Sequence, residues 1–162
     1  MLWMVVNPKL SYSPRPLMRE QQSVGSRPRP LAGISLLLVD DDADGREVFE
    51  YSLSEAGATV TTAATAEEAL ERFRAAPPDV VVTDIAMLSV DGVWLCEQIR
   101  TRDDGTQHVP IIAFTALAYA KDRERIEAAG FSAYLTKPAG VDDLQEVIRS
   151  LTAPNPQSSP KA

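Results

Sequence analysis

Residues Ile34-Ser35-Leu36-Leu37-Leu38-Val39-Asp40-Asp41-Asp42 form a short apolar run that ends abruptly in three carboxylates. The run is too short for a helix, and its Leu and Val content suits a strand of a parallel sheet. Four further runs of the same kind follow: 58–62, 79–83, 109–114 and 132–136, the third and fourth strands being rich in Val and Ile. Between them the pattern turns helical. Thr65 and Glu68 stand at capping-box spacing, Ala66, Ala69, Leu70 and Phe73 then recur at i, i+3, i+4, i+7, and Pro77-Pro78 stops the second helix. Leu144, Val147, Ile148 and Leu151 repeat the period in the last helix, and Phe49, Leu53 and Ala56 give the first helix its apolar face. Gly57 and Gly130 stand where left-handed caps would close the first and fourth helices. Strands alternating with helices predict an α/β doubly wound (βα)5 domain. The fourth helix, from Tyr119 to Ala129, offers little beyond Ile126 and alanines to a core and is expected to be weakly held.

The chain has 162 residues and a net charge of -7, unevenly spread. Residues 1–33 carry Lys9, Arg15, Arg19, Arg27 and Arg29 against Glu20, which leaves them at +4; Lys161 gives the tail +1, so residues 34–151 carry -12. So acidic a body is a poor partner for nucleic acid, and direct DNA binding is not expected. No apolar run reaches membrane-spanning length, and Met1 to Val6 is too short and too weakly flanked for a secretory signal. A lone cysteine, Cys96, forms no intramolecular disulfide, so the cytoplasm is the default location. Residues 1–33 hold five of the twelve prolines and read as a flexible leader, either a remnant linker or the product of an upstream start codon with Met18 as the alternative. Residues 152–162 read as a disordered tail, leaving 34–151 as the folded domain. Eleven residues after Leu151 leave no room for a basic DNA-binding module.

In an open α/β sheet, ligands bind beyond the carboxyl ends of the strands, where strand order reverses. Those ends carry Asp40, Asp41 and Asp42, then Asp84, Thr115, and Lys137 followed by Pro138. If the strand order is 2-1-3-4-5, the acidic run lies beside Asp84. Clustered carboxylates either stay partly neutral or take up a cation, and an all-oxygen set suits Mg²⁺. Asp84, alone on its strand end, is the candidate nucleophile toward phosphorus, with Asp40 and Asp41 suited to metal and Thr115 and Lys137 to phosphoryl oxygens. Asp42 reads as the N-cap of the first helix.

Four motifs in order, Leu36–Asp42, Pro78–Asp84 with Asp91-Gly92, Pro110–Ala116 and Ala133–Pro138, resemble the receiver domains of two-component response regulators, the CheY-like superfamily. The resemblance covers residues 34–151 and implies a flavodoxin-like sheet of order 2-1-3-4-5. It implies that Asp84 accepts a phosphoryl group from a histidine kinase or histidine phosphotransfer protein. It also implies that Asp40, Asp41, Asp84 and the backbone carbonyl of Ala86 hold Mg²⁺, with Asp40 acting through a metal-bound water. Thr115 and Tyr134 would be the switch residues, Lys137 would pair with the phosphoryl group, and Lys137-Pro138 would be cis. Such a chain is a signalling phosphoacceptor that catalyses at most its own phosphorylation and dephosphorylation, with a downstream protein target. A phosphorylation-dependent dimer, if one forms, is expected through the polar face of the fourth helix. Leu88 departs from the family's Met-Pro, and Ala86 and Leu117 place apolar groups beside the expected water path.

Two rival readings share the fold or the chemistry. A phosphorylation-independent docking module would keep the fold without the switch, and the complete acidic, Thr and Lys set argues against it. A Mg²⁺-dependent phosphohydrolase would need a general acid where Ala86 stands and a cap that the chain lacks. Cys96 reads as a small buried hydrophobe, His108 as a solvated loop residue, and Trp94 either as a partner anchor or as partly buried against a loop.

Overall fold

The computed structural model describes residues 4–5, 27–116 and 120–153. Its central sheet is built from β1 (Ser35–Val39), β2 (Thr59–Ala63), β3 (Val80–Thr83), β4 (Ile111–Thr115) and β5 (Ala133–Thr136). All neighbours are parallel and run in the order β2-β1-β3-β4-β5, as predicted. The helices are α1 (Ala43–Glu55), α2 (Ala66–Ala75), α3 (Gly92–Arg100), α4 (Ala120–Ala129) and α5 (Val141–Thr152). A 3-10 turn at Thr106–His108 precedes β4 and leaves His108 exposed in its loop.

Alternation along the strands divides the core in two. Leu36 and Leu38 of β1, with Val80 and Val82 of β3, face one layer that holds Leu53 of α1 and Leu144, Val147 and Ile148 of α5. Leu37, Val39 and Val81 face the other, where Phe73 of α2, Leu95 and Ile99 of α3 and Ile126 of α4 pack. A strand with period 2 that is apolar at every position can sit only between two helical layers, which makes the fold doubly wound.

Local signals act as read. The Thr65 hydroxyl accepts the Glu68 amide at 3.1 Å, while the Glu68 carboxylate accepts the amide of Ala64, one residue before the cap. That amide and then the Arg72 guanidinium hold the Glu68 carboxyl below its usual pKa. Gly57 and Gly130 have φ of 103° and 93°, the left-handed region expected of a cap. Only Ile126 and Ala129 of α4 are buried; Tyr119 and Leu117 lie outside the described residues.

Two features extend the sheet and its cover beyond the expected domain start. Leu31 is fully buried, and its amide donates to the Ala56 carbonyl at 2.9 Å. Met4–Val5 pairs in parallel with β5 as a sixth strand, Met4 opposite Ala133 and Val5 opposite Tyr134. Residues 1–3, 6–26 and 154–162 lie outside the described residues. No helix among the described residues is long and apolar enough to cross a membrane.

Candidate functional site

The reversal of strand order at β1 and β3 brings the loop after Val39 against the loop after Thr83. The Asp84 amide donates to the Val39 carbonyl at 2.9 Å, which extends the ladder one residue past β3 and fixes where the Asp84 side chain begins. One carboxylate oxygen from each of Asp40, Asp41 and Asp84 then falls within 4.8 Å of the others. Among the described residues this is the one such cluster, and it joins the acids predicted from sequence.

Each acid is held differently. Asp40 is buried; its Oδ1 accepts the Asp42 amide at 2.9 Å and its Oδ2 accepts Lys137 Nζ at 2.7 Å. Its carbonyl also accepts the Arg46 guanidinium at 2.6 Å. Asp84 Oδ1 accepts the Ala86 amide at 3.1 Å, and Oδ2 lies 3.3 Å from Lys137 Nζ. Asp41 Oδ2 accepts the amide of Leu88 at 3.1 Å. Asp42 takes no part in the cluster: its Oδ2 accepts the Gly45 amide and caps α1, as read from sequence.

Lys137 follows β5, and its amide donates to the Thr115 carbonyl at 2.9 Å, so the ends of β4 and β5 stay in register. The Lys137-Pro138 peptide is cis, as the resemblance implied. The ammonium lies 5.1 Å from the centre of the Phe114 ring, itself set edge-on to Phe49. Partial burial pulls the lysine pKa down, but the hydrogen bond to Asp40 and the charges of Asp84 and Asp40 outweigh it, and the net shift is upward. Lys137 is therefore a fixed positive charge at neutral pH.

Three carboxylates against one ammonium leave an excess of negative charge in a small volume. The donors are all oxygen, and the cluster lies at a partly open strand edge, conditions that fit a hard divalent cation such as Mg²⁺. Thr115 is fully buried at the end of β4. Tyr134 is buried among Ala113, Ile126 and Phe131. It also lines a surface groove of about 360 Å³ with Ala120, Arg123, Glu124, Glu127 and Thr136, where α4 meets β5. Thr115 and Tyr134 thus lie on neighbouring strands leading from the acidic cluster toward α4.

Several contacts escaped the sequence reading. Gly92 opens α3 directly beneath Asp84: a Cβ there would lie 2.1 Å from the Asp84 carbonyl oxygen, so no other residue fits without moving the loop. Asp91 caps α3 through the Trp94 amide and takes the Arg125 guanidinium of α4 at 2.5 Å. Asp91-Gly92 stands in the second of the four motifs, but nothing in sequence ties Asp91 to Arg125. Trp94 resolves to the partly buried reading, packed on the α2 and α3 core. Cys96 is buried, its thiol donating to the Ala129 carbonyl, and burial pushes its pKa up to about 12.

Comparison with known proteins agrees with this geometry. A family model described as the response regulator receiver domain matches residues 36–149. The chain is 42% identical over 119 residues to an uncharacterised 14.6 kDa protein of Leptolyngbya boryana, covering 74% of this chain and 88% of that one. It is 36% identical over 127 residues to the response regulator Rre1 of Synechocystis, covering 78% of this chain and 54% of that one. The match spans only about half of that longer relative. Among solved structures, the receiver domain of the sensor histidine kinase PA1611 from Pseudomonas aeruginosa superposes with a TM-score of 0.70 at 32% identity, over 76% of this chain and 100% of that one. That structure is described as holding a magnesium ion coordinated in its active-site cleft.

Proposed function

The chain belongs to the response regulator receiver family of two-component signalling, and from that premise we propose that it accepts a phosphoryl group on Asp84, in the presence of Mg²⁺, from a histidine kinase or a histidine phosphotransfer protein. The observation that carries this reading is the setting of the Asp84 carboxylate, with one oxygen held by the Ala86 amide and the other facing Lys137, beside Asp40 and Asp41.

Asp40, Asp41, Asp84 and the Ala86 carbonyl are the groups that would hold Mg²⁺. Bound there, the cation neutralises charge on the incoming phosphoryl group. An Asp84 oxygen forms the new bond to phosphorus while the phosphorus–nitrogen bond of the donor histidine breaks, and the departing imidazole keeps the electron pair and takes up a proton. Lys137, already charged, and the Thr115 hydroxyl then donate to the phosphoryl oxygens. Lys137 is set before the reaction by its ion pairs with Asp40 and Asp84, so little reorganisation of that donor is needed.

Movement of Thr115 toward the new group and inward repacking of Tyr134 would alter the α4 and β5 groove. The output is then a downstream protein bound at that face, or the phosphoryl group itself passed to a phosphotransfer histidine. Any phosphorylation-dependent dimer would use the polar face of α4. The chain acts as a phosphoacceptor that catalyses at most its own phosphorylation and dephosphorylation, in the cytoplasm and without contacting DNA or membrane. The charge of -12 over residues 34–151 supports the exclusion of DNA.

The test is chemical localisation. After incubation with acetyl phosphate and Mg²⁺, borohydride reduces an aspartyl phosphate to homoserine, which peptide sequencing by mass spectrometry would find at position 84. Homoserine at Asp41, or nowhere, would overturn the assignment.

A further inference from the structure

Leu88 divides its two halves unusually. The side chain is 97% exposed and adds nothing to the core, whereas the amide points inward and donates to Asp41 Oδ2 at 3.1 Å, across 47 positions of sequence. This bond joins the loop after β3 to the loop after β1 at the acidic cluster. We propose that Leu88 is a positioning residue, whose backbone amide keeps the Asp41 carboxylate turned into the pocket before a cation arrives. The proposal rests on the reading of Asp41 as a Mg²⁺ ligand.

The need for such a donor follows from charge. Three carboxylates crowded together repel, and each would turn outward to water unless held. Asp40 is held by Lys137 and the Asp42 amide, and Asp84 by Lys137 and the Ala86 amide. Asp41 does not contact Lys137, and among the described residues the Leu88 amide is the donor to its carboxylate. One accepted bond leaves the carboxylate most of its lone-pair sites, so the amide orients Asp41 without displacing a cation. A ligand oriented beforehand loses less freedom on binding.

The loop can deliver that amide because it is anchored on both sides. Ala86 is tied to Asp84, the Gly92 amide donates to the Ile85 carbonyl at 3.1 Å, and Asp91 is held by the Trp94 amide and Arg125. The identity of residue 88 therefore acts through its backbone: any residue with an N–H serves, and proline, which has none, does not. Leucine in place of the family's proline gives this chain a donor that the usual residue lacks.

The test compares Mg²⁺ affinity by calorimetry for the full chain, Leu88→Ala and Leu88→Pro. Alanine keeps the amide and should stay within about twofold of the wild type, whereas proline should weaken binding on the order of tenfold, the usual size of an outer-shell effect. Equal affinity in Leu88→Pro, or an equal loss in Leu88→Ala, overturns the proposal. A second readout needs neither metal nor folding of the proline variant: deuterium exchange at the Leu88 amide in metal-free protein. It should be slow in the wild type and faster in Asp41→Ala, and unchanged exchange sinks the hydrogen bond. A wild type that binds no Mg²⁺ would instead overturn the reading of the site itself, which the exchange measurement keeps separate.

Discussion

At Asp84 the surroundings are as decisive as the carboxylate. Gly92 lets the loop close under it, and a methyl group there would overlap the Asp84 carbonyl at 2.1 Å. Gly92→Ala should therefore cost roughly 1–3 kcal/mol, the range for forced overpacking, and should slow phosphorylation as well, read by chemical denaturation and by mass. Unchanged stability would mean that the loop yields freely. Cys96 supplies a pH prediction. Its thiol is raised by burial to about 12, so its protonated form is favoured in the folded state. The stability linked to it is whole below the unfolded thiol value of about 8.5 and is lost as pH rises from there toward the folded value. Replacing Cys96 by Ala should flatten this alkaline limb of the denaturant midpoint, and an identical limb in both proteins would contradict the assignment. The acids, Thr115 and Lys137 were legible because each ends an apolar run. The Leu88 amide and the Gly92 contact were not, because they depend on how two loops meet in space.

Among the elements, α2 and α4 are the informative contrast. Ala66, Ala69, Leu70 and Phe73 of α2 are buried, whereas α4 buries Ile126 and Ala129. The Arg125 to Asp91 ion pair adds a tie between α4 and the start of α3, but the arginine is more than half exposed, and such pairs contribute at most about 1 kcal/mol. Amides of α4 should exchange with deuterium well before those of α2, and Arg125→Ala should widen the gap. Equal protection would show that α4 is no readier to move than its neighbours. The sequence made this difference readable through the missing apolar stripe. Strand limits were less readable: Ala63 continues the ladder opposite Val39, and Thr115 pairs with Thr136, because pairing persists while a partner strand runs alongside, whatever the local hydrophobicity. Leu31 was hidden for the opposite reason, as proline and arginine neighbours made a buried residue look like part of a leader.

Over the whole molecule, one sheet edge gathers the charge that the rest of the fold disperses. Residues 34–151 carry -12, and three of those charges lie at the switch point between β1 and β3 with Lys137 as their near counter-charge. A cation that binds the folded chain there must stabilise it. Mg²⁺ at a hundred times its dissociation constant should add about 2.7 kcal/mol to unfolding, seen as a rise in Tm that a chelator reverses, and no rise would argue against a site. Fold and pocket were legible together because the βα alternation sets the topology and the topology sets which strand ends meet. The measurement that bears most directly on the account is the intact mass of the chain after incubation with acetyl phosphate and Mg²⁺, beside Asp84→Asn and a chelated sample. The account predicts gain of one phosphoryl group by the wild type alone. An unmodified wild type that is folded and binds Mg²⁺, or a phosphorylated Asp84→Asn, would contradict it.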